Sequence, residues 1–313
     1  VVLYSRSESR QAEVAEQLAR YGGARFFLGD VRDQGRLEEA MWGCDTVYHC
    51  AALKRVDAVA YDPGEVRKTN IIGSACVTAA AIAVQAKRVL MISSDKAVEP
   101  ANAYGISKAH MEREAVAMNA IAIPRGTRVA CTRWGNVLGS TGSVVTIWRK
   151  QLREGMPLTI TSLEMTRFVI TVQQAVAFAI AAVEDMEGGE IFVPRLPAAP
   201  LSDLAAAVER DYFQGLARDP HTDIASAFDH ELRRTITGLR PGGEKLHEDL
   251  LSREEPARTW WDGTRMVIIP SHHSWRERWE IPTGQRVETP YSSDAPDRWL
   301  SVSELIEMLK EMP

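Results

Sequence analysis

The 313-residue chain has only four cysteines, Cys44, Cys50, Cys76 and Cys131, and no two form a CxxC pair. That scatter excludes a zinc knuckle and a disulfide framework, and it fits small buried thiols in a reducing compartment. Positive charge is not in excess: 37 Lys and Arg stand against 42 Asp and Glu, a formal net charge of −5. Such a balance argues against a nucleic-acid-binding surface. Long apolar runs are missing too. The longest, VTAAAIAVQA, is too short and too rich in alanine to span a bilayer, and no signal-peptide pattern precedes the first strand. The expectation is a soluble, cytoplasmic protein without a metal site, a nucleic-acid partner or a membrane partner. A glycine-rich GxGxxG turn is also absent.

What is present is a βα rhythm. Apolar β-branched runs (VVLYS, ARFFLGD, TVYHCAAL, RVLMISS, RVACTRW) alternate with amphipathic segments such as SESRQAEVAEQLARYGG. This is the pattern of a parallel sheet covered by helices. It predicts an α/β fold, a Rossmann-like doubly wound sheet over residues 1–157. From about Gly135 the rhythm loosens into short strands, separate helices and a tryptophan-rich, hairpin-like tail. Residues 158–313 are therefore expected to form mainly a smaller substrate-binding lobe, with a helix near 172–185 returning to the first domain.

VVLYSR looks like the second strand of a nucleotide-binding unit, whose first strand normally leads into the glycine turn that holds a pyrophosphate. That first strand would lie between VVLYS and TVYHC. Leaving its slot empty strands backbone donors and acceptors, each costing about 1–3 kcal/mol. On this reading about thirty further residues, carrying a strand and a glycine turn, precede Val1 in the natural protein.

The chemistry concentrates in ISSDKAVEPANAYGISK, Ile92 to Lys108. Ser94, Asp95 and Lys96 follow a buried strand, at the end where open α/β sheets bind ligands. On a strand, adjacent side chains point to opposite sides, so Asp95 and Lys96 are not expected to pair with each other. Tyr104 and Lys108 are four apart at a helix start and share a face. An ammonium beside a phenol favours the phenolate and makes it a usable base. A YxxxK spacing by itself recurs by chance; following SSDK in a βαβ series, it points to catalysis.

These residues, with YSRSE, FFLGDVRD, AALKRVDAVAYDP, KTNIIGS, RWGNVLGSTGSVV, MTRFVIT, GGEIFVPRLP, LRPGGEKLHE and YSSDAPDRWLSVSEL, carry a resemblance. The chain resembles the extended short-chain dehydrogenase/reductase superfamily and, more narrowly, the soluble inverting UDP-N-acetylglucosamine 4,6-dehydratases. The resemblance implies an NADP-dependent lyase acting on a UDP-sugar: C4 is oxidised, water is eliminated across C5 and C6, and the hydride returns to C6. It implies Lys96 as the C5 base, Asp95 as the acid for the 6-hydroxyl and Tyr104 as the C4 base. Lys108 would lower the Tyr104 pKa and hold the nicotinamide ribose, and Ser94 would supply a hydroxyl to the C4 oxygen.

For the cofactor, the resemblance sets Ser5 and Arg6 at the 2′-phosphate, where an acidic residue would have favoured NAD. It also sets Asp30 and Val31 at the adenine, and Lys54 between cofactor and sugar nucleotide. For the substrate it points to Asn136, Ser143, Thr161, Arg167, Arg240 and Glu244. Arg167 and Arg240 are expected on the diphosphate, as forked charge-assisted donors. The Gly242-Gly243 doublet, where relatives carry one glycine, is expected to shift Arg240 against Glu244. The segment 209–231 has no assigned role. A homo-oligomer is expected. Competing readings are a UDP-sugar 4-epimerase, which needs Tyr104 and Lys108 without the Asp95–Lys96 pair, and a non-catalytic sugar-nucleotide-binding protein.

Overall fold

The computed structural model describes residues 1–56, 60–140, 142–217, 234–240, 242–272, 275 and 284–312. β1 (Val2–Ser5) leads into α1 (Glu8–Leu18), which begins where Ser7, in extended backbone, accepts the Arg10 N–H. Gly22 and Gly23 then take left-handed φ and turn the chain back. β2 (Arg25–Leu28), α2 (Gln34–Met41) and β3 (Thr46–His49) follow. Next come α3 (Pro63–Val66), a π-helical turn at Arg67–Ile72 and α4 (Gly73–Ala83), in one helical run. β4 (Arg88–Ile92), α5 (Ala103–Ala122) and β5 (Arg128–Thr132) complete the regular βα series.

Shorter elements follow: β6 (Asn136–Val137), α6 (Val144–Arg153), β7 (Leu158–Ile160), β8 (Thr166–Ile170) and α7 (Val172–Asp185). β9 (Ile191–Pro194), β10 (Ala198–Pro200), α8 (Leu201–Ala217), β11 (Arg234–Ile236) and β12 (Asp249–Leu251) come next. The described chain closes with β13 (Thr259–Trp261), β14 (Arg265–Ile268), β15 (Gln285–Arg286), β16 (Tyr291–Ser292) and α9 (Val302–Lys310).

The main sheet has the order β15-β13-β14-β9-β5-β4-β3. β3, β4, β5 and β9 are parallel in it, and β14 and β13 continue it antiparallel. β1 and β2 pair parallel in a sheet of their own, and β1 forms no ladder with β3. α2 joins the two sheets by packing on both β1 and α4. The fold is α/β and Rossmann-like, as the pattern predicts.

The second half is more dispersed than a lobe starting at 158. α7 packs on β4, where a returning helix was expected. β9 also returns: all four of its residues are buried, so it reads as an interior strand of the main sheet. The tryptophan-bearing hairpin β13–β14 pairs onto its far edge. A separate core of Trp148, Leu158, Ile160, Leu204 and Leu305 lies under α6, α8 and α9. Trp148 satisfies its buried indole N–H on the Thr159 carbonyl at 2.7 Å. Of segment 209–231, residues 209–217 end α8, where Glu209 pairs with Arg234; the rest lies outside the described residues. Among the described residues, no helix is long and apolar enough to cross a membrane.

Candidate active site

β4 ends at Ile92, and Asp95–Ala97 coil into a single 3₁₀ turn capped by Ser94, whose Oγ accepts the Lys96 N–H at 3.3 Å. The turn overrides strand alternation. Instead of pointing apart, Asp95 and Lys96 meet: Nζ donates to Oδ1 at 3.1 Å. Ser94 Oγ donates to the same Oδ1 at 2.8 Å. Asp95 is fully buried, and its Oδ2 makes no hydrogen bond to any described residue. It is a buried polar atom without a partner among the described residues.

α5 is brought onto this turn by Gly105. A Cβ there would lie 2.2 Å from the Lys96 carbonyl oxygen, so only glycine permits the approach. The helix starts where Asn102 accepts the Gly105 N–H at 2.9 Å. Its first turn thereby holds Tyr104 beside Ser94, whose proximity eases the phenol pKa downward. Tyr104 and Lys108 are both buried on α5. The expectation that Lys108 lowers the Tyr104 pKa needs correction. Burial raises the phenol, and the ammonium pulling it back down is that of Lys96, while Asp95 pushes it further up. Lys108 instead donates to the Ile92 carbonyl at 2.6 Å. Burial drags its own pKa down to about 8.

A second carboxylate closes on Lys96 from the segment before β12. Glu248 Oε1 lies 3.3 Å from Nζ, and its Oε2 lies 3.1 Å from Lys245 Nζ. Asn136 Oδ1, on β6, accepts from Lys96 Nζ at 3.3 Å. Burial works against the Lys96 charge, but Asp95 and Glu248 outweigh it and hold its pKa well above the ordinary lysine value. Glu248 is itself held below the usual carboxylate range: burial opposes this, and Lys96, Arg167 and Lys245 prevail. Glu248 and Lys245 lie within LRPGGEKLHE, but neither has a motif spacing that would single it out.

Arg167 and Arg240 do converge, but on Glu244. Arg240 Nε lies 3.2 Å from both Glu244 oxygens, and the nearest Arg167 nitrogen lies 3.7 Å from Oε1. Gly242 and Gly243 stand at φ of +96° and +95°, and a Cβ on Gly243 would lie 2.0 Å from the Ala101 carbonyl oxygen. With the doublet in place, Arg240 still meets Glu244. Arg167, 5 % exposed, spends its donors on the Thr166, Lys245 and Leu246 carbonyls and braces the strap carrying Glu248. Arg240 remains the more open cation, its side chain 53 % exposed.

At the C-terminal end of β1, the Ser5 hydroxyl accepts from Gln11 at 3.1 Å, and Arg6 lies 3.6 Å from Asp30 with 55 % of its side chain exposed. Asp30 is held mainly by Arg32, at 2.8 and 2.9 Å, and its pKa is lowered chiefly by that bond. The Val31 side chain packs in the core under α4, so only its backbone is left to meet a base. Burial and the nearby Arg10 guanidinium pull the Lys54 ammonium pKa down. This is a cation crowded by a cation, which an anionic ligand would relieve. Ser143 heads α6 with its hydroxyl 3.2 Å from Thr146 Oγ1. Thr161 directly follows β7.

Behind the turn, Ser93 Oγ donates to Glu112 Oε1 at 2.6 Å. The buried Arg133 guanidinium forks onto Glu112 and Glu255. This network fixes the β4 and β5 ends and also went unnoticed in the sequence, because its members are scattered along it.

Residues 1–269 match the family model described as "Polysaccharide biosynthesis protein". The UDP-N-acetylglucosamine 4,6-dehydratase (inverting) of Campylobacter jejuni subsp. jejuni serotype O:2 is 37 % identical over 318 residues, covering 99 % of this chain and 89 % of that protein. A UDP-glucose 4-epimerase of Rickettsia conorii is 38 % identical over 256 residues, 82 % of this chain and 70 % of that one. Among solved structures, Pen from Bacillus thuringiensis superposes with a TM-score of 0.84 at 30 % identity, covering 100 % of this chain and 90 % of that chain. The dTDP-glucose 4,6-dehydratase DesIV from Streptomyces venezuelae shares the fold at a TM-score of 0.61 and 20 % identity, over 76 % and 79 % of the two chains. On this evidence of matched length and identity, the chain belongs to the polysaccharide biosynthesis protein family of extended short-chain dehydrogenases/reductases.

Proposed function

We propose that the protein is a nucleotide-sugar 4,6-dehydratase acting on UDP-N-acetylglucosamine or a close UDP-N-acetylhexosamine, with inversion at C5. The observation that carries this reading is the Asp95–Lys96 contact beside Ser94 and Tyr104. Oxidation alone needs only the tyrosine. An acid and a base side by side serve elimination. Similarity to the inverting dehydratases supports the substrate class and the inversion.

The crowded Arg10–Lys54 cations and the open Arg6 fit an anionic dinucleotide, and the cofactor proposed is NADP. Ser5, Arg6, Asp30, Val31, Lys54, Tyr104 and Lys108 would hold it. When bound, it would supply hydride acceptance from C4 and hydride return to C6.

The side chains share protons in a way that meets each demand. Ser94 donates to Asp95 and stands beside Tyr104, and Asp95 touches Lys96. Moving the Lys96 proton of the resting ion pair onto Asp95 gives the reactive form, with Asp95 an acid, Lys96 an amine and Tyr104 a phenolate. Tyr104 then takes the C4 hydroxyl proton, and Lys96 takes the C5 proton, made acidic by the neighbouring ketone. The C5–C6 double bond forms as the C6 hydroxyl leaves with the Asp95 proton as water. Lys96 later hands its proton back to C5. Tyr104 returns the C4 proton through Ser94 to Asp95, and the count closes. Asn136 fixes Lys96, and Arg240 faces the diphosphate, with Arg167 bracing from behind. Ser143 and Thr161 are proposed for the nucleotide and sugar edges.

The test is incubation with UDP-N-acetylglucosamine and NADP, followed by mass analysis. A product lighter by one water is expected. Unchanged mass with an inverted C4 would establish the epimerase reading, which the Rickettsia relatives suggest. Binding without turnover would establish a sugar-nucleotide-binding protein.

A further inference from the structure

We propose that Glu248 is a positioning residue for the C5 proton transfer: it holds the ammonium form of Lys96 and so sets the pH at which Lys96 becomes a base. The inference deepens the dehydratase reading and rests on it.

Three observations support it. First, Glu248 is 2 % exposed, and its Oε1 is 3.3 Å from Lys96 Nζ, which also meets Asp95 Oδ1 at 3.1 Å. Two buried carboxylates thus hold one ammonium. Second, Glu248 is fixed independently of Lys96. Its N–H donates to Ser293 Oγ at 2.8 Å, and its carbonyl accepts the Ser293 N–H at 2.8 Å. The Ser293 hydroxyl is held in turn by Thr166 at 2.8 Å. Third, the other oxygen of Glu248 meets Lys245, which also donates to the Val98 carbonyl at 2.9 Å and stands 3.7 Å from Asp249. Val98 follows the Asp95 turn directly, so the strap and the turn are tied at both ends.

The charged and titratable groups facing Lys96 are Asp95 on its own turn, Tyr104 on α5, Arg167 on β8, and Glu248. Asp95 alternates between acid and carboxylate during turnover. Glu248 does not, because Arg167 and Lys245 keep it charged while Lys96 gives up its proton. Its constant negative charge stabilises Lys96 after the C5 proton arrives, when the N–H bond has formed and the C–H bond has broken. That ammonium is the form that must return the proton to C5.

The experiment uses two readouts on the full chain. One is the pH dependence of solvent deuterium exchange into C5 of UDP-N-acetylglucosamine. The other needs no turnover: the rate of Lys96 acetylation by acetic anhydride against pH, followed by peptide mass spectrometry. The Lys96 side chain is 23 % exposed and within reach of a small reagent. In Glu248→Gln, the Lys96 titration and the rising limb of C5 exchange should both move to lower pH, by about one unit or more. Glu248→Asp should restore part of the shift. Lys245→Met, which removes the ammonium competing with Lys96 for Glu248 while Arg167 stays in place, should move the Lys96 titration upward, and it serves if Glu248→Gln does not fold. A Lys96 titration that stays put in these variants overturns the proposal. If it shifts as expected while no variant, nor the wild type, exchanges C5, Glu248 does hold Lys96 and it is the dehydratase reading that fails.

Discussion

Asp95 and Lys96, neighbours in the chain, turn toward each other: Lys96 Nζ sits 3.1 Å from Asp95 Oδ1, because the Asp95–Ala97 segment coils instead of extending. Acid and base are thereby held in contact with a shared hydroxyl, Ser94.

The roles of Lys96 and Tyr104 separate in a single turnover. Lys96→Ala should abolish deuterium incorporation at C5 while some reduced cofactor still forms at 340 nm. Tyr104→Phe should form none. Full dehydratase turnover by Lys96→Ala would contradict the assignment of the C5 base.

Arg6 should discriminate cofactors. Its guanidinium is open at the end of β1, 3.6 Å from Asp30. Losing a charge-assisted phosphate contact costs about 1.5–3 kcal/mol, so Arg6→Ala should weaken NADP about ten- to a hundredfold and NAD far less. Isothermal titration with both cofactors checks this. Equal losses would remove Arg6 from the 2′-phosphate.

Arg240 should matter for a diphosphate and not for a nucleoside. Arg240→Ala is expected to weaken UDP by about ten- to a hundredfold while leaving uridine binding unchanged. A parallel loss for uridine would show that the arginine acts through the fold of the Glu244 strap instead.

Removing Arg133 should be costly in a different way. Arg133→Met leaves Glu112 and Glu255 buried and facing each other without their cation. About 3–5 kcal/mol should be lost in denaturant unfolding. The pH dependence follows from Glu255. Burial opposes its charge, but Arg133 outweighs it and brings the pKa from 4.5 down to about 2. A lowered folded-state pKa means that the unfolded chain binds more protons between those values. The stabilisation is therefore present above about pH 4.5 and lost as pH falls toward 2. In Arg133→Met that slope should flatten.

The sheet was legible because β1, β3, β4 and β5 are short β-branched runs separated by helices with ordinary caps, signals that are local in the chain. The returning strands were not. Ile191–Pro194 is four residues long and gains its place from β5 and β14, both distant in sequence. At the site, Ser94, Asp95, Lys96, Tyr104 and Lys108 could be named because they fall within one segment. Their mutual orientation could not, since a 3₁₀ turn and a strand put the same residues on different sides. Glu248 was invisible for a further reason: it reaches Lys96 only through the folding of the 242–248 strap onto the Asp95 turn, which two glycines at positive φ allow.

The central claim is elimination across C5 and C6, with Lys96 and Asp95 as base and acid. The most direct test is NMR of the product formed from UDP-N-acetylglucosamine in deuterated water. The account predicts a 4-keto-6-deoxy sugar nucleotide, inverted at C5 and carrying solvent deuterium there. A 4-epimer that retains its C6 hydroxyl, with no deuterium at C5, would contradict it.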